Sequence, residues 1–144
     1  GGLMRASGPL AMEFLRRPPG ANPATVAELA AKFSVTLPED LVNFWQYSDG
    51  AVLWFGHKEL QFFPVDEIVR HDVYSVSRFM PRAMPICTDG CGNLCVARID
   101  AGKVTGYFVA SCGNLGWDDA VELATSFGQF IDDPKSPEQR LYHE

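Results

Sequence analysis

The order of elements in this 144-residue chain predicts an α+β domain: a central, mostly antiparallel sheet flanked by helices. Three observations carry that prediction. Apolar residues recur at three- and four-residue spacing over 22–50, which is the period of helices packed on one face. Short β-rich runs joined by glycine and aspartate turns then gather between 51 and 109. A single short helical pattern closes the chain, and nowhere do strands and helices alternate as a parallel sheet would require.

Residues 1–21 read as a leader. Gly1-Gly2 resembles a tag remnant, and Met12, Phe14 and Leu15 suggest a short helix that Arg16-Arg17-Pro18-Pro19-Gly20 would stop. The main domain is expected over 22–133. Asn22 is a good N-cap and Pro23 suits the first helical position; Val26, Leu29, Ala30 and Phe33 then make one apolar face. A second helix is expected from Leu37-Pro38-Glu39-Asp40, with acids at the positive end of its dipole and Leu41, Phe44, Trp45 and Ser48 along one side. Asp49-Gly50 ends it, Gly50 being free to take the left-handed cap.

Ala51–Phe55 and Leu60–Phe63, split by the polar stretch Gly56-His57-Lys58-Glu59, predict a hairpin. Pro64–Val69 starts another helix, and 70–82 shows no clear period. Met84–Cys87, Leu94–Ile99 and Val104–Val109 predict three strands, joined by Thr88–Asn93 and Asp100–Lys103. Gly113 and Gly116 frame a loop about Trp117. Ser126 and Gln129 form a capping box for a last helix whose apolar face is Phe127, Phe130 and Ile131, and 134–144 reads as a polar tail.

Charge narrows the function. Lys plus Arg number 12 and Asp plus Glu 18, for a net charge of −6. A general nucleic-acid binder needs a basic face to replace phosphate counterions, and adhesion to an anionic membrane needs one too. Neither is expected, and no apolar run is long enough to span a bilayer. The acid is concentrated: 37–76 and 112–144 each carry net −5, against +2 for each of the other two stretches. Folded side by side, the two acidic segments would make one negative face.

The residues that could carry chemistry read more simply as structure. Cys87, Cys91, Cys95 and Cys112 are too few for a secreted disulfide scaffold, and point to cytoplasmic thiols. Their Cys87-x3-Cys91-x3-Cys95 spacing falls within the two-to-four range of zinc pairs, and Cys112 could be a fourth ligand; but Cys87 and Cys95 lie on predicted strands across a loop, where packing is the simpler reading. His57, His71 and His143 lie at no metal spacing and flank no nucleophile motif. The glycine-bearing turns at 89–92 and 113–116 lack a phosphate-cradling pattern. No catalytic residue, metal or cofactor is expected. The acid clusters Asp66-Glu67 and Asp118-Asp119-Glu122, and the adjacent aromatics Trp54-Phe55 and Phe62-Phe63, suggest a surface for a basic protein partner. Alternation along a strand turns one aromatic of each pair outward.

Four stretches in order resemble the SUKH superfamily, which groups the Smi/Knr cell-wall assembly regulators with many bacterial proteins. They are 37–50 (LPEDLVNFWQYSDG), 60–68 (LQFFPVDEI), 84–94 (MPICTDGCGNL) and 124–131 (ATSFGQFI). The resemblance implies a SUKH-like single domain. In bacteria it implies an immunity protein that binds and neutralises a toxin, often a nuclease or deaminase, and it brings no catalytic residue with it. The cysteine-bearing glycine loop and 113–119 depart from the usual pattern. The expected reading is therefore a non-catalytic binding module with a basic toxin domain as partner, met through Asp49, Trp54, Glu59, Asp66, Glu67, Asp118, Asp119 and Glu122. Two alternatives stand beside it. One is a regulatory scaffold akin to the cell-wall regulators, and the other is a metal protein or enzyme built on the cysteines. Open sheet edges would also allow a homodimer.

Overall fold

A computed structural model describes residues 12–142. Its sheet has seven strands in chain order, each antiparallel to the next: β1 (Glu13–Arg16), β2 (Val52–Trp54), β3 (Glu59–Phe62), β4 (Ala83–Thr88), β5 (Asn93–Asp100), β6 (Lys103–Ser111) and β7 (Val121–Ala124). The α+β class and the antiparallel sheet are as the sequence predicts. The α-helices are α1 (Pro23–Phe33), α2 (Glu39–Tyr47), α3 (Val65–Arg70), α4 (Val76–Phe79), α5 (Phe127–Asp132) and α6 (Pro137–Tyr142), with a 3-10 turn at Val73–Ser75. Among the described residues no helix is long and apolar enough to cross a membrane.

Local chemistry places these elements. The Asn22 side chain accepts from the Ala24 N–H at 2.8 Å to start α1, and Ser34 ends it in the left-handed region. α5 opens with the Ser126 hydroxyl accepting from the Gln129 N–H. Asp100-Ala101-Gly102 turns β5 back on β6, with Ala101 and Gly102 both at positive φ.

The sheet separates two clusters. On the front, Leu29, Leu41, Phe44, Trp45, Leu53, Leu60, Phe62, Ile68, Tyr107, Phe127 and Phe130 form the main core under α1, α2, α3 and α5. Phe44 meets Phe62 and Phe127 with ring centroids 4.6 and 5.3 Å apart. On the back, Val76 and Met80 from the α4 segment pack on Ala83, Leu94, Val96, Phe108 and Ala110. The Trp117 ring stands edge-on to Phe108 at 5.2 Å, its N–H donating to the Pro81 carbonyl at 2.8 Å. This back cover reaches only the β4–β6 half of the sheet.

Two expectations are corrected and one gap is filled. The helix expected at Met12–Leu15 is strand β1, because pairing with β2 overrides the clustered apolar residues. Val121–Ala124, to which the sequence pattern assigns no element, is strand β7; Leu123 and Ala124 are buried where they close the sheet edge beside β6. The polar tail contains α6, capped by Ser136 and Gln139, which exchange hydrogen bonds at 2.9 and 3.1 Å. His143 and Gly1-Gly2, with the tag remnant expected there, lie outside the described residues.

Candidate functional site

The uncovered half of the back face follows from strand register. Leu53, Leu60 and Phe62 point to the core, so their neighbours point the other way. Trp54 stands opposite Glu59, Val52 opposite Gln61, and Gln61 opposite Thr88, with Glu13 and Arg16 of β1 beside Trp54 and Val52. None of these seven is buried, whereas Leu94, Val96 and Ala110 on the same face are fully enclosed.

Two depressions flank Gln61 on this face. The first, of about 500 Å³, lies between the β2–β3 turn, the β4–β5 loop and α6. It is lined by Trp54, His57, Lys58, Glu59, Gln61, Asp89, Gly90, Cys91, Ser136, Glu138 and Gln139. The second, of about 410 Å³, includes Arg16, Asp49, Val52, Phe63, Glu67, Tyr74 and Thr88. Tyr74 and Ser75 both sit at φ 54°, a left-handed conformation that costs a side-chain-bearing residue energy. Their backbone turns the Tyr74 ring toward Phe63, centroids 6.3 Å apart, and leaves it 52% exposed.

The first groove is acidic, and its carboxylates are fixed. Asp89 Oδ1 accepts from the Cys91 and Asn93 N–H groups at 2.8 and 3.1 Å, and its Oδ2 accepts from Asn93 Nδ2 at 2.7 Å. The same amide donates to Glu138 at 2.6 Å, drawing α6 to the loop. Glu59 accepts from the Gln61 side chain. The Lys58 ammonium turns away toward backbone carbonyls of Ile131 and Asp133. Burial lowers its pKa, and the nearby Asp133 carboxylate opposes that shift. The Cys91 thiol is pushed up, first by desolvation and then by the Asp89, Glu138 and Glu59 carboxylates.

The eight residues expected at the partner surface fall into separate groups. Trp54 and Glu59 meet in the first groove, and Asp49 and Glu67 reach the second. Asp49 also accepts from the Val65 N–H at 2.7 Å, capping α3 from outside it. Asp66 is held by Arg70 at 3.0 Å, which also bridges to Glu28. Asp118 and Asp119 are exposed in the Trp117 turn, and Glu122 is exposed on β7 beyond the covered half of the sheet. The acids of the two segments meet where Glu59 and Glu138 share a groove; elsewhere the segments pack through Phe44 on Phe127, through Lys58 donating to Ile131 and Asp133, and through the Gly128 N–H donating to Asp40.

Asp89, Gln61, Tyr74 and Glu138 belong to this surface and escaped the sequence reading. The one usable signal was Ser136-x-x-Gln139, a capping box that marks α6 and hence Glu138. The four cysteines do not converge. Cys87 and Cys95 pair across β4 and β5 in the core, Cys91 is exposed in the loop, and Cys112 is half-buried. Asp89, Cys91 and Glu138 bring their donor atoms within 4.8 Å of one another, a grouping explained by the Asn93 amide that both carboxylates accept from.

No curated protein matches the chain. The sequence profile of the SMI1 / KNR4 family (SUKH-1) matches residues 20–133, a span that runs from just before α1 to just after α5 and takes in six of the seven strands. That span covers well over half of the chain, and the chain belongs to the SMI1 / KNR4 family (SUKH-1).

Proposed function

We propose that this protein is a non-catalytic binding module of the immunity type, which neutralises a toxin domain in the cytoplasm by occupying it. Membership of the SUKH-1 family supports a role of this kind. The observation that carries the reading is the meeting of the two acidic segments beside an outward tryptophan, with Glu59, Asp89 and Glu138 around Trp54. A nuclease or nucleotide-directed deaminase gathers positive charge where phosphate binds. A fixed negative surface with an aromatic anchor can fill such a cleft as a substrate would, with no bond made or broken. The proposed contacts are Asp49, Trp54, Glu59, Asp66, Glu67, Asp118, Asp119 and Glu122.

The test is co-purification with the toxin domain encoded beside this gene, followed by titration calorimetry. The wild type should bind and suppress the toxin's activity, with affinity falling as salt rises. Charge reversal of Glu59 and Glu67 should weaken the complex at least about tenfold, as loss of opposed charges at an interface does. Tight binding that ignores both the reversals and the salt would refute the acidic-surface reading.

A further inference from the structure

We propose that the uncovered back face of β1–β4, from Trp54 to Tyr74, seats a basic loop or extended segment of the partner, lying across β2 and β3 with Gln61 beneath its middle. This rests on the protein-binding reading above and deepens it by naming the docking face and the chemistry that fits it.

The face is uncovered where its continuation is not. The same side of the sheet is closed over β4–β6 by the α4 segment and Trp117, and among the described residues nothing covers Val52, Trp54 and Gln61. A sheet face carrying a tryptophan and a valine beside polar neighbours has the mixed make-up of an interface core with its rim. Depressions of about 500 and 410 Å³ lie on either side of Gln61, so an occupant can press side chains into both while its backbone crosses between them.

Charge decides the occupant. Glu59 and Glu138 line one depression and Glu67 the other, while Lys58 spends its ammonium on two carbonyls and Arg16 is the one arginine in either lining. A cationic segment meets this field favourably. A second copy of this chain, with its net charge of −6, meets it unfavourably. The aromatic anchors stand at the two ends. Trp54 offers an indole face to an arginine or lysine, and Tyr74 is held outward by two consecutive left-handed residues, the kind of strain that persists at binding sites.

The probe is a decapeptide of alternating arginine and glycine, added to the full-length isotope-labelled protein and followed by amide and indole chemical shifts. An alternating glutamate–glycine decapeptide is the control. The arginine peptide should move Val52, Gln61, Thr88, Tyr74 and the Trp54 indole, with the shifts fading as salt rises. Trp54→Ala and Tyr74→Ala should each weaken it at least about fivefold, consistent with aromatic hot spots, while keeping the wild-type melting temperature. Glu28→Gln with Glu39→Gln, on the helices of the opposite face, should leave it unchanged. Shifts centred on 118–122, equal shifts with the glutamate peptide, or a dimer in ultracentrifugation that buries Trp54 would overturn the proposal. The neighbouring toxin domain separates the two ideas. If it binds both alanine variants as it binds wild type, the docking face is wrong and the immunity reading stands. If it fails to bind wild type while the arginine peptide maps to this face, the immunity reading fails and the cation-selective face stands.

Discussion

Lys58 and Asp133 meet through an ammonium and a backbone carbonyl: Nζ lies 2.8 Å from the Asp133 oxygen and 3.2 Å from that of Ile131. These carbonyls close α5, where a helix leaves acceptors without intrahelical partners and a cation is favoured by the dipole. The ammonium also lies 4.7 Å from the centre of the Phe55 ring. One side chain on the β2–β3 turn thereby fixes the chain between α5 and α6, and with it the position of Glu138 over the groove.

Lys58→Met should therefore cost about 2–4 kcal/mol of stability, because it strands two enclosed carbonyls. It should also weaken partner binding, since α6 loses its tether. Denaturant unfolding and hydrogen exchange across 134–142 check both effects; exchange in α6 should speed up more than in α1.

Alkali should unfold the protein through two buried acids. Cys87 is raised well above its ordinary value, first by burial and then by the Cys95 thiol beside it. Tyr107 is raised by burial, with the Asp40 carboxylate adding to the shift. Each group keeps its proton in the fold and loses it in the unfolded chain, from about pH 8.5 for cysteine and pH 10 for tyrosine. The unfolded state then binds fewer protons, so stability falls as pH rises, by about 1.4 kcal/mol per pH unit for each group once it ionises. Lys58 acts with the opposite sign. Its lowered pKa means that the unfolded chain holds the extra proton, and this contribution rises with pH until about 10.4. Cys87→Ala should flatten the fall that begins near pH 8.5, and thermal melts from pH 7 to 11 would show it.

Tyr107→Phe is a separate test. The Tyr107 hydroxyl is buried without a hydrogen-bond partner, a loss that costs about 1–3 kcal/mol. Removing it should raise stability at neutral pH by about 1 kcal/mol and abolish the part of the alkaline fall above pH 10. A destabilised Phe variant, measured by denaturant midpoint, would show that the ring is held by its oxygen.

Where local rules suffice, the fold is legible in the sequence. Asn22-Pro23 starts α1, Glu39-Asp40 opens α2, and the 51–63 hairpin follows from two β-rich runs about a polar turn. The failures are of another kind. Met12-Glu13-Phe14 carries only one and a half periods of alternation before Leu15 breaks it, too little to mark a strand until β2 offers a partner edge to Glu13–Arg16. The site was legible only in half, for a related reason. Trp54 and Glu59 are hairpin neighbours, so period-two alternation brings them to one face. Glu138 reaches them through a tertiary contact between residues 45 apart, its carboxylate accepting from the Asn93 amide on β5. No spacing rule can express that contact.

Asp49 joins folding to binding among the expected contacts. Its carboxylate accepts from the Val65 N–H, so Asp49→Ala should lower stability by about 1 kcal/mol, as loss of a helix cap does. Both Asp49→Ala and Glu67→Gln should reduce the salt dependence of partner association, but only Asp49→Ala should also lower stability. Parallel denaturation and calorimetry on the two variants distinguish a contact that is also a cap from a contact alone.

Gly20 tests how the β1 edge is held. A Cβ placed there would stand 1.7 Å from the Gln46 carbonyl oxygen, well inside any contact distance, and the obstacle is backbone that cannot rotate aside. Either 18–21 or the end of α2 must move. The hydrogen bonds most exposed to that shift are those from the Ala21 N–H to Trp45, from the Asp49 N–H to Pro19 and from the Ser48 hydroxyl to Pro18. Gly20→Ala should cost about 1–3 kcal/mol, the range for an overpacked contact. Because these bonds lead directly into β1, the loss should be uneven. Amides of 13–16 and 48–52 should lose exchange protection first, while β5 and β6, on the far side of the sheet from β1, keep theirs. A uniform loss across all seven strands would mean that β1 is an integral part of the cooperative core and no separable flap.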